Sequence, residues 1–305
     1  MKKLISALTI LLLSLVVVFS ITACDMVDFN GIGDALGDTG EANNTQPPVE
    51  DPAPKQILYY NLNSNGTGYI VTGLADRSVT DLVIDSSYNG LPVIGIDRSA
   101  FWQCYNLSSV VIPNSVKSIG AQAFQSCGNL TSVTIGNGVS SIGEMSFDNC
   151  TSLTSLTIPN SVTNIPLMAF SGCTSLTSVT IGNGVSRIEN NAFTNCSSMT
   201  TLTLGNSVTY IGASAFTNCY SLNSVTFPDS LMTIEGNAFR NCSSLRSIIL
   251  GSSVKEIGNC AFINCSSLTS IKYRGSAAQW KTLVLGYDWN GNTGSYTITY
   301  NYTGN

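Results

Sequence analysis

The sequence predicts a β-rich solenoid, a curved rod of stacked coils, and three observations predict it. A phenylalanine returns at Phe101, Phe124, Phe147, Phe170, Phe193, Phe216, Phe239 and Phe262, which makes seven intervals of 23 residues without one insertion. The other apolar positions keep step: Phe124, Cys127, Leu130, Val133, Ile135, Val139 and Ile142 return as Phe147, Cys150, Leu153, Leu156, Ile158, Val162 and Ile165. Within each unit Leu130-x-x-Val133-x-Ile135 contains a period-two stretch, the pattern of a short strand with one buried face.

Self-similarity at roughly 20 to 29 residues is the mark of a leucine-rich-repeat solenoid. Val133 and Ile135 are expected to turn inward, leaving Ser132 and Thr134 outward. Gly136 in this copy, or Pro159 in the next, ends the strand, because proline has no N–H for a continuing ladder and glycine weakens one. Val139-x-x-Ile142 predicts a second short extended segment, and Ala123-Phe124 with Cys127 a tight turn or short 3-10 helix that closes the coil. One coil alone buries little. Stacked copies bury a column for every apolar position, and the two ends then need covering.

These residues resemble the BspA-like class of bacterial leucine-rich repeats, whose pattern of Ala-Phe, Cys, Leu, Ile-Pro or Ile-Gly and Val-x-x-Ile is matched from Val79 to Tyr273. Ser146, where the pattern has Ala, is a small departure. The resemblance implies a curved extracellular binding solenoid, of a kind often regarded as an adhesin, and no particular ligand.

Residues 1–23 read as a lipoprotein signal peptide. Lys2 and Lys3 lead an apolar run from Leu4 to Ile21, and Thr22-Ala23-Cys24 follows, so that Cys24 is the expected lipidation site. The competing reading is an uncleaved membrane anchor, since the run approaches the length of a spanning helix. No basic stop signal follows the small residues, which favours lipidation. Residues 24–56 cannot build a core: seven acidic residues face Lys55 alone, and Pro47, Pro48, Pro52 and Pro54 stiffen the end, so this stretch reads as a disordered tether. Residues 57–100 are irregular, with strands at Tyr69-Ile70-Val71 and Leu82-Val83-Ile84, and form the expected N-terminal cap; residues 101–273 hold the repeats. Residues 274–305 leave the period and bring Trp280, Tyr287, Trp289, Tyr296 and Tyr300, read as rings that cover the last coil or, alternatively, as an aromatic binding patch.

Charge excludes some partners. Without Lys2 and Lys3 the chain holds 11 basic and 18 acidic residues; the tether takes one of the former and seven of the latter, so the repeats and caps carry 10 against 11. No field of one sign is available to steer nucleic acid, and none is expected as a partner. The chain contains no histidine, which removes the usual base for Ser or Cys nucleophiles and the commonest metal ligand. Glu144, Glu189, Glu235 and Glu256 sit on different coils with no evident pairing. Neither an enzyme nor a cofactor or metal is expected. Of ten cysteines, Cys104, Cys127, Cys150, Cys173, Cys196, Cys219, Cys242 and Cys265 fill one column of the repeat. Their equivalence favours free thiols packed in a tight turn, although neighbouring coils are near enough for disulfides.

The outward strand positions form two ladders, polar and nearly uncharged: Ser109, Ser132, Ser155, Ser178, Thr201, Ser224, Ser247 and Ser270, and Val111, Thr134, Thr157, Thr180, Thr203, Thr226, Ile249 and Lys272. These hydroxyl and β-branched residues either satisfy strand packing and solubility or bind a partner. The binding reading takes Ser132, Thr134, Ser155, Thr157, Ser178, Thr180, Thr203 and Thr226 as contacts, with Lys272, Arg274 and Trp280 as anchors at one end. It describes a monomeric adhesin of the cell envelope, surface-exposed and joined to the membrane through its N-terminal lipid only, that holds an extracellular protein or glycan. The alternatives are a structural envelope protein whose coils self-associate without a host ligand, and an ice-binding surface made from the Ser-x-Thr ladders.

Overall fold

The computed structural model describes residues 57–304. The expected signal peptide, Cys24 and the tether lie outside them. At the N-terminal end, Leu58–Leu62 pairs antiparallel with Tyr69–Leu74, which pairs in parallel with Leu91–Ile96 and so enters the repeat. From there each coil contributes two strands. One has three or four residues, such as Ser132–Ile135, and the other has two, such as Ser141–Ile142. Pairing is parallel and in register: Ser155 lies over Ser178 and Ser178 over Thr201, while Ile165 lies over Ile188. Equal letters stack because both faces of a one-residue slip are wrong, one exposing the apolar set and the other burying the polar one.

The phenylalanine rings form a buried stack along the axis. Successive centroids lie 4.8 to 5.3 Å apart with planes 4 to 16° from parallel. Beside it runs the cysteine column. All eight thiols are free and buried. Each after the first donates its S–H to the phenylalanine carbonyl of the preceding coil, as Cys127 does to Phe101 O at 3.1 Å and Cys150 to Phe124 O at 3.2 Å. Phe124 O also accepts the N–H of Cys127 at 3.2 Å, so one carbonyl closes its own turn and ties down the next coil.

The closing segment is a chain of turns, and no 3-10 helix is found in it among the described residues. Two left-handed residues per coil interrupt any helical run, as at Gln122 (φ 60°) and Ser126 (φ 61°). Asparagine tolerates that conformation and takes the second position at Asn195, Asn218, Asn241 and Asn264. There the side chains form a ladder of their own. Asn241 Nδ2 donates to Asn218 Oδ1 at 2.7 Å, and Asn264 Nδ2 to Asn241 Oδ1 at 2.8 Å.

Three interruptions divide the strand ladders, and each falls at a proline. After the short strands, Glu189 N–H donates to Ile165 O at 2.9 Å and Gly212 N–H to Ile188 O at 2.8 Å. Pro166 has the same place and no N–H, and Ser141–Ile142 is not paired with Asn164–Ile165. After the longer strands, Arg274 N–H donates to Leu250 O at 2.9 Å. Pro159 and Pro228 hold that place in their coils, and the ladder parts between Ser132–Ile135 and Ser155–Ile158 and again between Thr201–Thr203 and Ser224–Thr226. Pro113 breaks nothing, because its coil's pairing with Asp81–Val83 ends at Val111.

At the C-terminal end the chain makes one more rung: Val284–Leu285 continues the short ladder and Thr297–Thr299 the long one. Trp289 meets the last ring, Phe262, edge-on at 6.3 Å. Trp280 packs on Tyr273, Trp289 and Tyr300 from the single short helix of the described residues, Ala277–Trp280, which Ser276 and Gln279 cap reciprocally. Tyr287, read from the sequence as part of this cover, is 82% exposed and covers nothing. Core side chains run from Leu58 to Trp289, so a fragment starting at Ile57 keeps the whole described core and folds without what precedes it.

Burial pushes the thiols of Cys127, Cys173 and Cys219 up to about 12 from an ordinary 9.0, and those of Cys150, Cys196 and Cys242 in the same direction. A raised folded value means that the unfolded chain ionises first, so this stability is whole below about pH 9 and is lost as pH rises toward about 12. Thermal melts of the Ile57 fragment should therefore fall across that window, and Cys173→Ser, which does not ionise there, should flatten the slope; identical slopes would refute the account. The Asn ladder gives a second test. Asn241→Ala loses two side-chain hydrogen bonds and keeps a left-handed backbone, which should lower stability by roughly 2 kcal/mol in chemical denaturation, with Asn241→Gly losing less.

Candidate functional site

The long strands present one face to solvent, and its two ladders stack as expected through the middle of the molecule. Thr134, Thr157, Thr180, Thr203 and Thr226 are exposed, as are Ser132, Ser155, Thr201 and Ser224, while Ser178 is half-buried. The ladder is not open along its whole length. Ile249, placed outward by the alternation, is only 8% exposed, and Val83 and Val111 make the other end apolar.

The hydroxyls beside and on the long strands fall into two sets. Those just before each strand are occupied by the stacking itself: Thr131, Thr154, Thr177 and Thr200 each donate to the carbonyl 23 residues earlier, at 2.9 to 3.2 Å. Those on the strand face are different. Ser132, Thr134, Ser155, Thr157, Ser178, Thr180, Thr203 and Thr226 make no side-chain hydrogen bond within the described residues, so donors and acceptors stand at every rung, about 4.8 Å apart. Asp81, at the N-terminal end, takes hydrogen bonds from Ser109, Thr80 and Ser108, which hold its carboxyl below the usual value.

Toward the C-terminus the face deepens into a groove of about 1020 Å³. Its floor is Thr201, Thr203, Ser224 and Thr226; Arg274 and Tyr302 form the far side. Arg274 Nη1 reaches Asp229 Oδ1 at 2.9 Å, crossing over Gly251, where a Cβ would lie 2.8 Å from that oxygen. Lys272 stands over the Tyr302 ring at 4.7 Å and contacts its hydroxyl at 3.3 Å. Of the three anchors expected at this end, Arg274 lies in the groove, Lys272 adjoins it through Tyr302, and Trp280 is turned into the cap, 9% exposed.

Two residues of the groove escaped the sequence reading. Asp229 stands where Asn160, Asn183 and Asn206 stand in earlier coils, so one acid in an asparagine column was the available signal. Tyr302 gave none, because it lies outside the period. Glu144 and Glu189 share a small hollow with Asn164 and Pro166, and Glu189 is engaged by Arg187 at 2.8 Å. Among the described residues no group of three His, Cys, Asp or Glu side chains could hold a metal ion.

Comparison with known proteins agrees with this geometry. A leucine-rich repeat protein from Bacteroides ovatus ATCC 8483 superposes with a TM-score of 0.65 over 79% of this chain and 70% of its own, at 24% identity. The leucine-rich repeat protein of T. pallidum superposes with a TM-score of 0.55 over 71% of this chain and 90% of its own, at 27% identity. No curated protein matches the chain. The model of the BspA type leucine-rich repeat region matches in six copies, over residues 94–219 and 186–285. Period, columns and coil geometry together place the chain in that family: it is a BspA-type leucine-rich repeat protein.

Proposed function

We propose that this protein is a lipid-anchored adhesin of the bacterial cell surface that binds an extracellular protein or glycan with its strand face. The observation that carries the reading is the division of the hydroxyls: the flanking set is engaged in coil stacking, whereas the strand-face set from Ser132 to Thr226 makes no side-chain hydrogen bond among the described residues and recurs coil after coil. Binding by such a face comes from many modest hydrogen bonds in register with the ligand. The leader, Cys24 and the acidic tether support display at a distance from the membrane. Binding is favoured over catalysis because the chain has no histidine and the face offers no activated nucleophile.

The test uses the Ile57 fragment on beads against solubilised extracellular matrix and host-cell surface material. The unmodified fragment should retain a partner, and Thr180→Arg/Thr203→Arg/Thr226→Arg, three changes at exposed positions, should lose it at unchanged melting temperature. Equal capture by a folded triple variant would remove the strand face from consideration.

A self-associating envelope protein is the second reading, favoured by the last short strand. Val284 and Leu285 are exposed at 61% and 38% on an edge that nothing covers among the described residues. If it holds, light scattering should show the fragment's mass rising with concentration and Val284→Lys should suppress the rise; a constant monomer mass excludes it.

A further inference from the structure

The C-terminal groove differs from the rest of the strand face in three ways. Its floor is split. Thr201–Thr203 and Ser224–Thr226 are not paired with each other, and Leu204 O, which would accept the N–H that Pro228 lacks, has no hydrogen-bond partner among the described residues. A charged pair spans its side, with Arg274 held to Asp229 through one nitrogen and one oxygen. Asp229 is 67% exposed in its side chain, so its second oxygen is open to a ligand, and Arg274, 22% exposed, lines the groove beside it. Finally, Tyr302 makes an aromatic wall beside a floor that is otherwise hydroxyl.

The chemistry of this lining selects among ligands. A bound peptide draws its affinity from side-chain pockets that take aromatic or aliphatic anchors, or from an open strand edge. The groove has no deep pocket of that kind: of the apolar side chains that line it, Leu202 and Phe227 are buried in the core and Leu204 is half-buried, and at the split Pro228 has no N–H to offer an added strand. A nucleic acid or acidic polysaccharide needs uncompensated positive charge. Here Arg274 is balanced by Asp229, and the Lys272 ammonium is turned onto the Tyr302 ring. What remains is a lining that donates and accepts in alternation and carries almost no net charge, and the complement of that is a run of hydroxyl groups, each both donor and acceptor.

We propose that the groove is a binding site for a neutral oligosaccharide, with the Arg274–Asp229 pair reading two adjacent hydroxyls of one sugar. One hydroxyl donates to the open Asp229 oxygen and its neighbour accepts from Arg274, a charge-assisted pair of bonds that fixes orientation as well as affinity. Thr201, Thr203, Ser224 and Thr226 meet the hydroxyls of the next sugars, and Leu204 O accepts from one of them. The Tyr302 ring lies against the C–H face of a pyranose. This site rests on the reading of the strand face as a binding surface and narrows its ligand from protein or glycan to glycan.

The experiment exposes the Ile57 fragment to immobilised maltohexaose, cellohexaose, mannohexaose and chitohexaose, with heparin and a polysialic acid as charged arms, and follows the strongest by calorimetry. At least one neutral hexaose should bind. Arg274→Met and Asp229→Asn should each weaken it tenfold or more, and Thr226→Arg should abolish it. Tyr105→Ser, an exposed side chain outside the strand face and the groove, should bind as the unmodified fragment does. Circular dichroism melts separate loss of site from loss of fold, and because the ion pair is partly exposed its removal should shift them little. No binding to any neutral hexaose, tighter binding to the charged arms, or unchanged affinity in Asp229→Asn and Arg274→Met would overturn the proposal. If the hexaoses fail while the strand face still captures a protein partner, the glycan assignment falls and the broader reading stands.

Discussion

The structure depends on one acceptor used twice. In the coils from Phe101 to Phe239, Phe170 apart, the phenylalanine carbonyl receives the N–H of the cysteine three residues on and the S–H of the cysteine twenty-six residues on; Phe170 O keeps the S–H alone. Elsewhere both lone pairs are buried and both are satisfied, which a buried carbonyl at the axis of a solenoid otherwise achieves only with water. The same arrangement explains the absence of insertions. One extra residue between Phe and the next Cys would move the thiol off its acceptor, open a gap in the ring stack and turn the following strand over. Cysteine suits the position because it is small, apolar enough to be buried and still a weak donor. It needs no disulfide to do this work, and burial keeps the thiol in the protonated form that the bond requires.

Fixing the core in this way leaves the outer surface free to vary, and the chain varies it little. Serine and threonine before and within the long strand have opposite fates: the residue before the strand bends back to a carbonyl of the preceding coil, and those within it point to solvent. The first set adds to a backbone bond already in place, since Thr154 O accepts both the N–H and the hydroxyl of Thr177 at 2.9 Å. Two columns of the same residue type thus have different causes, which composition alone does not separate.

Much of the fold was legible in the residues, and the reason is physical. A period that repeats over eight coils presents the same question eight times, so Phe, Cys, Val-x-x-Ile and the outward Ser-x-Thr are each read from many copies. The closing segment was less clear, because the Phe-to-Cys spacing suits a 3-10 turn as well as a run of turns; the left-handed residues that decide between them include Gln122, Met145 and Met168 as well as Asn. What the period does not touch was illegible. The inward packing of Trp280, the exposure of Tyr287, the burial of Ile249 and the place of Tyr302 in the groove all depend on where a non-repeating tail folds back, and no other copy of that tail exists to compare. Asp229 lies between these cases, visible as an odd letter in a column but without meaning until Arg274 is seen to reach it.

The prolines show which interactions carry cohesion. Each break forgoes a ladder bond of about 0.5–1.5 kcal/mol, and Pro159, Pro166 and Pro228 make three such breaks within the repeats. Yet across the split at Pro228 the core is undisturbed: Phe193 and Phe216 stack at 5.3 Å, Cys219 Sγ reaches Phe193 O at 3.5 Å, and Asn218 donates to Asn195 at 2.7 Å. The coils are therefore held together at the turn side, by rings, thiols and amides, and the strand side can be opened one rung at a time without loss of register. A sheet that carried the cohesion could not expose its own carbonyls. This one can, and where it does so next to a charged pair and an aromatic ring, the backbone itself becomes part of the surface that meets a ligand.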